Sequence, residues 1–301
     1  GAVEDLSEDG EFRSIYEINY KAALLLASRV FLYTGDYDKV IDYGEKFLLL
    51  NPALKDITSI TASPTTTSTF ANNTFLHPST NPEAVFTFGR FTSNVVEGGY
   101  VYYTKEIVGL APTSYGVSSG VESGLIDTYG ADDRRKNYWF AQPTGAPGQF
   151  FATPTYSPMK VNYYEKSYTT QYMRSGEVYL NLAEAYARKA SPDNNKAIKL
   201  LNDLRGKRIA SYTNLTGADF TGQQALVTFI WEERRRELCF EEFHRWWDLR
   251  RTGQPALTHD WLDGEFQLQA KDPAYLLNFP LGEREFNPDL EPNVRPERDM
   301  K

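Results

Sequence analysis

Two segments of this chain repeat one helix–turn–helix layout, and neither can fold by itself. Residues 23–52 read ALLLASRVFLYTGDYDKVIDYGEKFLLLNP: an apolar helix, a turn at Gly35, Asp36 and Tyr37, a second helix, and Pro52 as the stop. Gly35 suits a helix C-terminus, where a positive φ is often needed. Ala27 and Ser28 are small enough to let the two helices approach closely, and Val40 and Phe47 fall on the inward face of the second helix. Residues 178–205 repeat the layout with Tyr179, Leu182, Ala183 and Tyr186, a polar turn at 191–195, then Ala197, Leu200, Leu201 and Leu204. One pair cannot bury its own apolar face, so pairs must stack. The segments 12–52 and 172–251 are therefore expected to meet in space across the long stretch between them.

The layout is that of a tetratricopeptide unit. Residues 222–251, GQQALVTFIWEERRRELCFEEFHRWWDLRR, continue the helical half of the chain, with no proline and no internal glycine. Glu232 and Arg236 have the four-residue spacing that supports a helix. Leu226, Phe229, Ile230, Cys239 and Phe240 supply apolar anchors, but Glu233 and Glu237 interrupt the apolar rows. Carboxylates beside a packed face need cations. Arg234, Arg236 and Arg245 are the candidates, and the group is read as a structural ion-pair network rather than a catalytic pair. Both carboxylates are expected to be at least half buried, each against an arginine.

These segments also carry a resemblance. ELCFE followed by HRWWDLRR is similar to the C-terminal signature of the SusD/RagB family, surface lipoproteins of Bacteroidetes that capture nutrients, mostly glycans. Residues 172–208 resemble the family's R-x-x-E-x-Y-L-N-x-A-E-A helix and its L-N-x-L-R, carried here by Arg174, Glu177, Tyr179, Leu180, Asn181, Ala183, Glu184 and Ala185, then Leu201, Asn202, Leu204 and Arg205. Residues 276–293 resemble the closing P-x-x-E-x-x-x-N-P-x-L-x-x-N, and the N-terminal helix pair fits the same order. The resemblance implies a mainly α fold of tetratricopeptide-like helix pairs, with a long irregular insertion of loops and short strands. It implies one domain, with repeat segments 12–52 and 172–251, the insertion at 53–171 and an extended tail at 252–301. Family members carry a lipid anchor on an N-terminal cysteine and an N-terminal part of the ligand site. Both are expected to lie outside these 301 residues.

Composition removes several function classes. The net charge of −8 argues against nucleic acid, whose binders need a basic face. No apolar run is long enough to span a membrane as a helix, and no signal peptide remains in the sequence. A single cysteine, Cys239, leaves no internal disulfide and reads as a small mid-helix core residue. With 20 Tyr, 18 Phe and 5 Trp, aromatics exceed what an aliphatic core absorbs, so many must be exposed or line site walls.

The insertion holds much of that aromatic content. Residues 57–80 read as a polar surface loop, 84–90 as a short strand, 145–158 as turns and 160–164 as another strand. Excursions of this length are often functional. A pyranose offers C–H groups on one face and hydroxyls around its edge, so flat rings with nearby polar groups suit it. Tyr100, Tyr102 and Tyr103, interleaved with glycine, are the first candidates, followed by Tyr115 and Trp139. On a strand Tyr100 and Tyr102 share a face while Tyr103 points away. The alternative is that these rings pin loops to the helical core. The D-x-R element at 132–135 is expected to tie its loop down.

His77, His244 and His259 lack metal-ligand spacing, and no metal or cofactor is expected. No nucleophile elbow, P-loop or dinucleotide fingerprint occurs. By resemblance the chain is not an enzyme. It captures an oligosaccharide or other nutrient at the outer face of the outer membrane for a SusC-type TonB-dependent porin. The alternatives are a tetratricopeptide-like interaction scaffold without glycan binding, or a glycoside hydrolase.

Overall fold

The computed structural model describes residues 14–61, 75–76, 80–91, 117–118, 124–141, 155–158, 160, 167–261, 264–287 and 289–293. In chain order its elements are α1 (Tyr20–Thr34), α2 (Tyr37–Leu48), β1 (Ala84–Phe91), β2 (Val117–Ser118), α3 (Arg134–Trp139), β3 (Phe140–Ala141), β4 (Thr155–Pro158), β5 (Ser167–Arg174), α4 (Ser175–Arg188), α5 (Asn194–Arg205), α6 (Gln223–Glu237), α7 (His244–Arg251), β6 (Leu257–Trp261), β7 (Gly264–Leu268) and α8 (Leu281–Phe286). The fold is mainly α.

Local chemistry sets the first helix pair. Asn19 caps α1 by accepting from the Ala22 N–H at 3.0 Å. Gly35 ends α1 at φ 78, and the N–H groups of Gly35 and Asp36 return to the Leu32 and Phe31 carbonyls. Asp36 then caps α2 by accepting from the Lys39 N–H at 3.2 Å. The second pair, α4 and α5, uses Asp193 as the cap of α5 in the same way. The pairs stack, with α2 and α1 against α4, and α6 packing on α4 as well. Gly44 is where α2 comes closest, since a Cβ there would lie 2.6 Å from Leu182 of α4. The shared core holds Leu24, Leu25 and Phe47 from the first pair, Leu182, Leu201 and Leu204 from the second, and Leu226 and Ile230 from α6.

β1 and β5 form an antiparallel ribbon that adds Val85 and Met173 to this core, and β5 runs directly into α4. A second core gathers parts of the insertion: Ile57, Phe75, Ile126, Tyr129, Tyr138, Trp139 and Phe140, with Cys239 from the helical half. Backbone bonds tie the insertion to the segment after α5, from Ile57 to Lys207, from Arg134 to Arg208 and from Ala210 to Asp132. β2, β4 and β3 form a small sheet with β4 in the middle.

Four expectations change. The 222–251 stretch is two helices, because α6 stops at Glu237 and α7 starts at His244. The link between them bends through Phe240 and Glu242, which have φ of 60 and 44. The break is possible because buried cations take over the last carbonyls. Lys160 Nζ donates to the Glu237 carbonyl at 2.6 Å and the Cys239 carbonyl at 3.0 Å, and Arg174 Nη2 donates to the Glu237 carbonyl at 2.8 Å. Cys239 therefore sits in this link, not mid-helix. Within 145–158, residues 155–158 are strand β4 rather than turn; of 160–164, only Lys160 is among the described residues. The segment after α7 is not extended throughout, since β6 and β7 pair as a hairpin and α8 follows.

Candidate functional site

The most densely built site in the described residues is a buried charge hub between α6 and the insertion. Glu237 and Glu233 lie one turn apart on α6, and both are 0% exposed. Three arginines from three segments converge on Glu237. Arg174, at the β5–α4 junction, reaches Oε1 at 2.8 Å; Arg208, after α5, reaches it at 2.9 Å; Arg135, from α3, reaches Oε2 at 2.9 Å. Arg135 also bonds Glu233 at 2.7 Å, which Arg205 and Arg236 meet from the other side at 2.5 and 2.9 Å. Glu83, just before β1, closes the ring by accepting from Arg174 at 2.8 Å and Arg208 at 2.6 Å. Glu241 accepts from Arg174 at 2.8 Å and pairs with the buried Lys160. Lys160 also lies 4.0 Å above the Trp139 ring.

The electrostatics follow from this crowding. Burial alone would raise the Glu237 pKa, but Arg208, Arg174 and Arg135 outweigh it and hold it well below the usual carboxylate range. Glu233 is held down against the same burial by Arg135, Arg236 and Arg205. Glu241 is lowered by Arg174 and Lys160. These carboxylates are anions with their oxygens engaged. None is a proton donor near neutral pH, which is what a general acid needs to be. Chemically, the hub clamps the insertion to α6.

A second network links α4 to α1 and α7. Arg29 of α1 grips Glu177 with bonds of 2.7 and 2.6 Å and reaches Glu242 at 2.9 Å. Arg251 of α7 holds Glu184 at 2.6 Å and Asp248 at 2.7 Å. With Arg29 as its main partner, Glu177 stays ionised, its pKa lowered to about 2 despite burial.

The residues expected from sequence are divided among these places. Glu233, Glu237 and Arg236 belong to the hub. Arg234 belongs to the second network, donating to Asn181 at 2.6 Å and Asp248 at 3.2 Å. Arg245 is an exposed residue of α7 and is not a partner of Glu233 or Glu237. The break after Glu237 turns α7 away, so the sequence proximity does not become contact. Trp139 is 0% exposed, with Phe75 tilted against it at 4.7 Å and Lys160 over its face. That puts it in the second core rather than on a surface. Tyr100, Tyr102, Tyr103 and Tyr115 lie outside the described residues. Asp133 of the D-x-R element bonds Arg135 and orients it toward the hub. Sequence reasoning missed Glu83, Lys160, Arg174, Arg205, Arg208 and Glu241. Arg174, Arg205 and Glu241 did stand inside quoted motifs, and Arg208 at the end of a quoted segment, which was the available signal.

Among the described residues no group of three or more His, Cys, Asp or Glu is placed to hold a metal ion, and no helix is long and apolar enough to cross a membrane. A groove of about 810 Å³ runs along α1. Ile18, Leu26 and Val30 line it with Phe86, Met173 and Trp247, and Arg29 and Glu242 form a polar end.

Fold and hub together define a helix-repeat scaffold that holds an irregular insertion by buried arginines. The model of the SusD family matches residues 82–283, and the chain belongs to that family. No curated protein matches the sequence. Similar solved structures include a SusD-like carbohydrate-binding protein from Bacteroides vulgatus, 23% identical, with 89% of this chain and 56% of that one covered and a TM-score of 0.57. A SusD-like protein from Bacteroides fragilis is 20% identical, with coverage of 97% and 69% and a TM-score of 0.60. A SusD superfamily protein from Bacteroides thetaiotaomicron is 22% identical, with coverage of 97% and 65% and a TM-score of 0.63. The chain thus spans between 56% and 69% of the length of these three structures.

Proposed function

We propose that this chain captures an oligosaccharide at the cell surface without reacting with it, and passes it to a SusC-type TonB-dependent porin of the outer membrane. Membership of the SusD family over residues 82–283 carries this reading. Two observations support it. The hub carboxylates are locked as anions in ion pairs, which suits a scaffold better than acid–base catalysis. The insertion is tied to the helical half by backbone bonds from Ile57, Asp132 and Arg134 to the segment after α5, as a scaffold that presents loops requires. In this reading Tyr100 and Tyr102 form a two-ring platform, with Tyr115 a further candidate, while Tyr103, on the opposite face of the strand, is the less favoured contact. Attachment to the membrane in this reading is through a lipid anchor.

The test pairs two measurements. Retardation of the chain in native gels containing soluble polysaccharides should occur with at least one glycan, and labelled oligosaccharides should be recovered uncut after incubation. Retardation with none of them defeats capture of glycans, and release of shortened products defeats the non-catalytic part.

A second reading, an interaction scaffold, is favoured by the apolar groove along α1. Tyr100→Ala and Tyr102→Ala separate the two. Lost retardation at an unchanged melting temperature supports capture, whereas a lowered melting temperature with retardation intact supports packing.

A further inference from the structure

Behind the groove, where α1, α4, α6 and α7 meet, lies a buried polar layer. Much of it is paired: Arg29 with Glu177, and Arg234 with Asn181 and Asp248. Four buried atoms in it have no hydrogen-bond partner in the protein: the Tyr33 hydroxyl, Arg234 Nη2 and both ring nitrogens of His244. His244 is 1% exposed. Tyr33 and His244 each set a ring edge-on to Trp247, at 6.0 and 5.7 Å. Both also lie within the electrostatic reach of Arg234 and Glu177. His244 Nε2 is 3.9 Å from Glu177 Oε2, too far for a direct hydrogen bond. Native interiors rarely leave such atoms unsatisfied, and polar gaps of this kind are bridged by ordered water.

We propose that this layer is a built water site, with an ordered water shared by the Tyr33 hydroxyl, Arg234 Nη2 and His244. The chemistry of the donors selects water. The guanidinium N–H only donates, the phenol can do either, and a neutral imidazole presents one N–H and one bare nitrogen, so the set calls for a ligand that accepts from Arg234 and can also donate. An anion would face Glu177 and Asp248. A metal cation would face Arg29, Arg234 and Arg251. A neutral donor–acceptor molecule meets neither opposition. The four atoms are sealed from solvent, so the ligand is of water's size and exchanges only when the helices open locally. The water ties α7 to α1 and α6 and fixes Trp247, which walls the groove.

A high-resolution crystal structure of the unchanged chain tests this first. Density for a water within hydrogen-bond distance of at least two of the three side chains is expected; a dry contact overturns the proposal. The second test is a double-mutant cycle with Tyr33→Phe, His244→Phe and the pair, read as melting temperature. The two side chains make no direct hydrogen bond, so a shared water makes their losses non-additive, with the double variant losing less than the sum. Strictly additive losses would also overturn it, and the density result stands even if a variant fails to fold.

Discussion

At the residue scale, Glu237 carries the largest consequence. Its one carboxylate answers Arg174, Arg208 and Arg135, none of which is exposed. Glu237→Gln leaves those cations short of a counter-charge in a low-dielectric interior. The expected loss is about 3–5 kcal/mol in urea unfolding, the range for breaking a buried pair. His244 sets a pH dependence. Burial lowers its pKa from 6.5 to about 4, with Arg29 and Arg234 acting in the same direction and Glu177 and Glu241 opposing. The unfolded chain therefore binds a proton that the folded chain refuses. Stability is full above pH 6.5 and falls as the pH drops toward about 4, by roughly 3 kcal/mol at 1.36 kcal/mol per unit. From the ordinary carboxylate range downward the decline continues, as Glu233 and Glu237, whose folded pKa values are depressed, lose their contribution. Urea midpoints measured from neutral pH downward should show the first decline, and His244→Phe should remove it. A flat profile between pH 6.5 and about 4 would contradict the neutral, buried assignment.

At the scale of elements, the link between α6 and α7 is held in a conformation that non-glycine residues rarely adopt. Lys160 pins it through two carbonyls and Glu241. Lys160→Met keeps a buried chain of similar length but removes the ammonium over Trp139 and leaves those acceptors unsatisfied. Limited proteolysis should then cut within residues 238–243 many times faster than in the unchanged chain; equal rates would mean the link holds itself. The α2–α4 contact gives a second case. Gly44→Ala places a methyl 2.6 Å from Leu182, which is fully buried and has little room to turn. The overpacking should cost about 1–3 kcal/mol, read as a lower melting temperature. At Gly35 a Cβ meets open space, so Gly35→Ala should cost only the strain of its positive φ, about 1–2 kcal/mol.

At the scale of the molecule, the two helix pairs were legible because their signals are local. Helical periodicity, Gly35 at a C-terminus and Asp36 at a cap all act within a few residues. The hub was legible in one half only. Glu233 and Glu237 stood out as carboxylates on an apolar face, but nothing near them marks Arg135, about a hundred positions earlier, as a partner. Nor does sequence distance exclude Arg245, which the break after Glu237 turns elsewhere. The pattern at 160–164 predicts a strand starting at Lys160, and nothing local marks a buried lysine whose use as a cap depends on folding. Trp139 shows the limit for aromatics: a ring beside arginines looks alike as a platform and as packing, and only burial separates them. The belonging to the SusD family was legible from Arg174, Glu177 and the ELCFE and HRWWDLRR stretches, all within the matched residues 82–283.

Capture of an oligosaccharide is tested most directly by isothermal titration of the 301-residue chain against a panel of plant, microbial and host oligosaccharides. A saturable heat with at least one member is predicted, and it should vanish in the Tyr100→Ala/Tyr102→Ala variant while the melting temperature holds. A panel without any saturable heat, from protein that melts cooperatively, would contradict glycan capture by this chain.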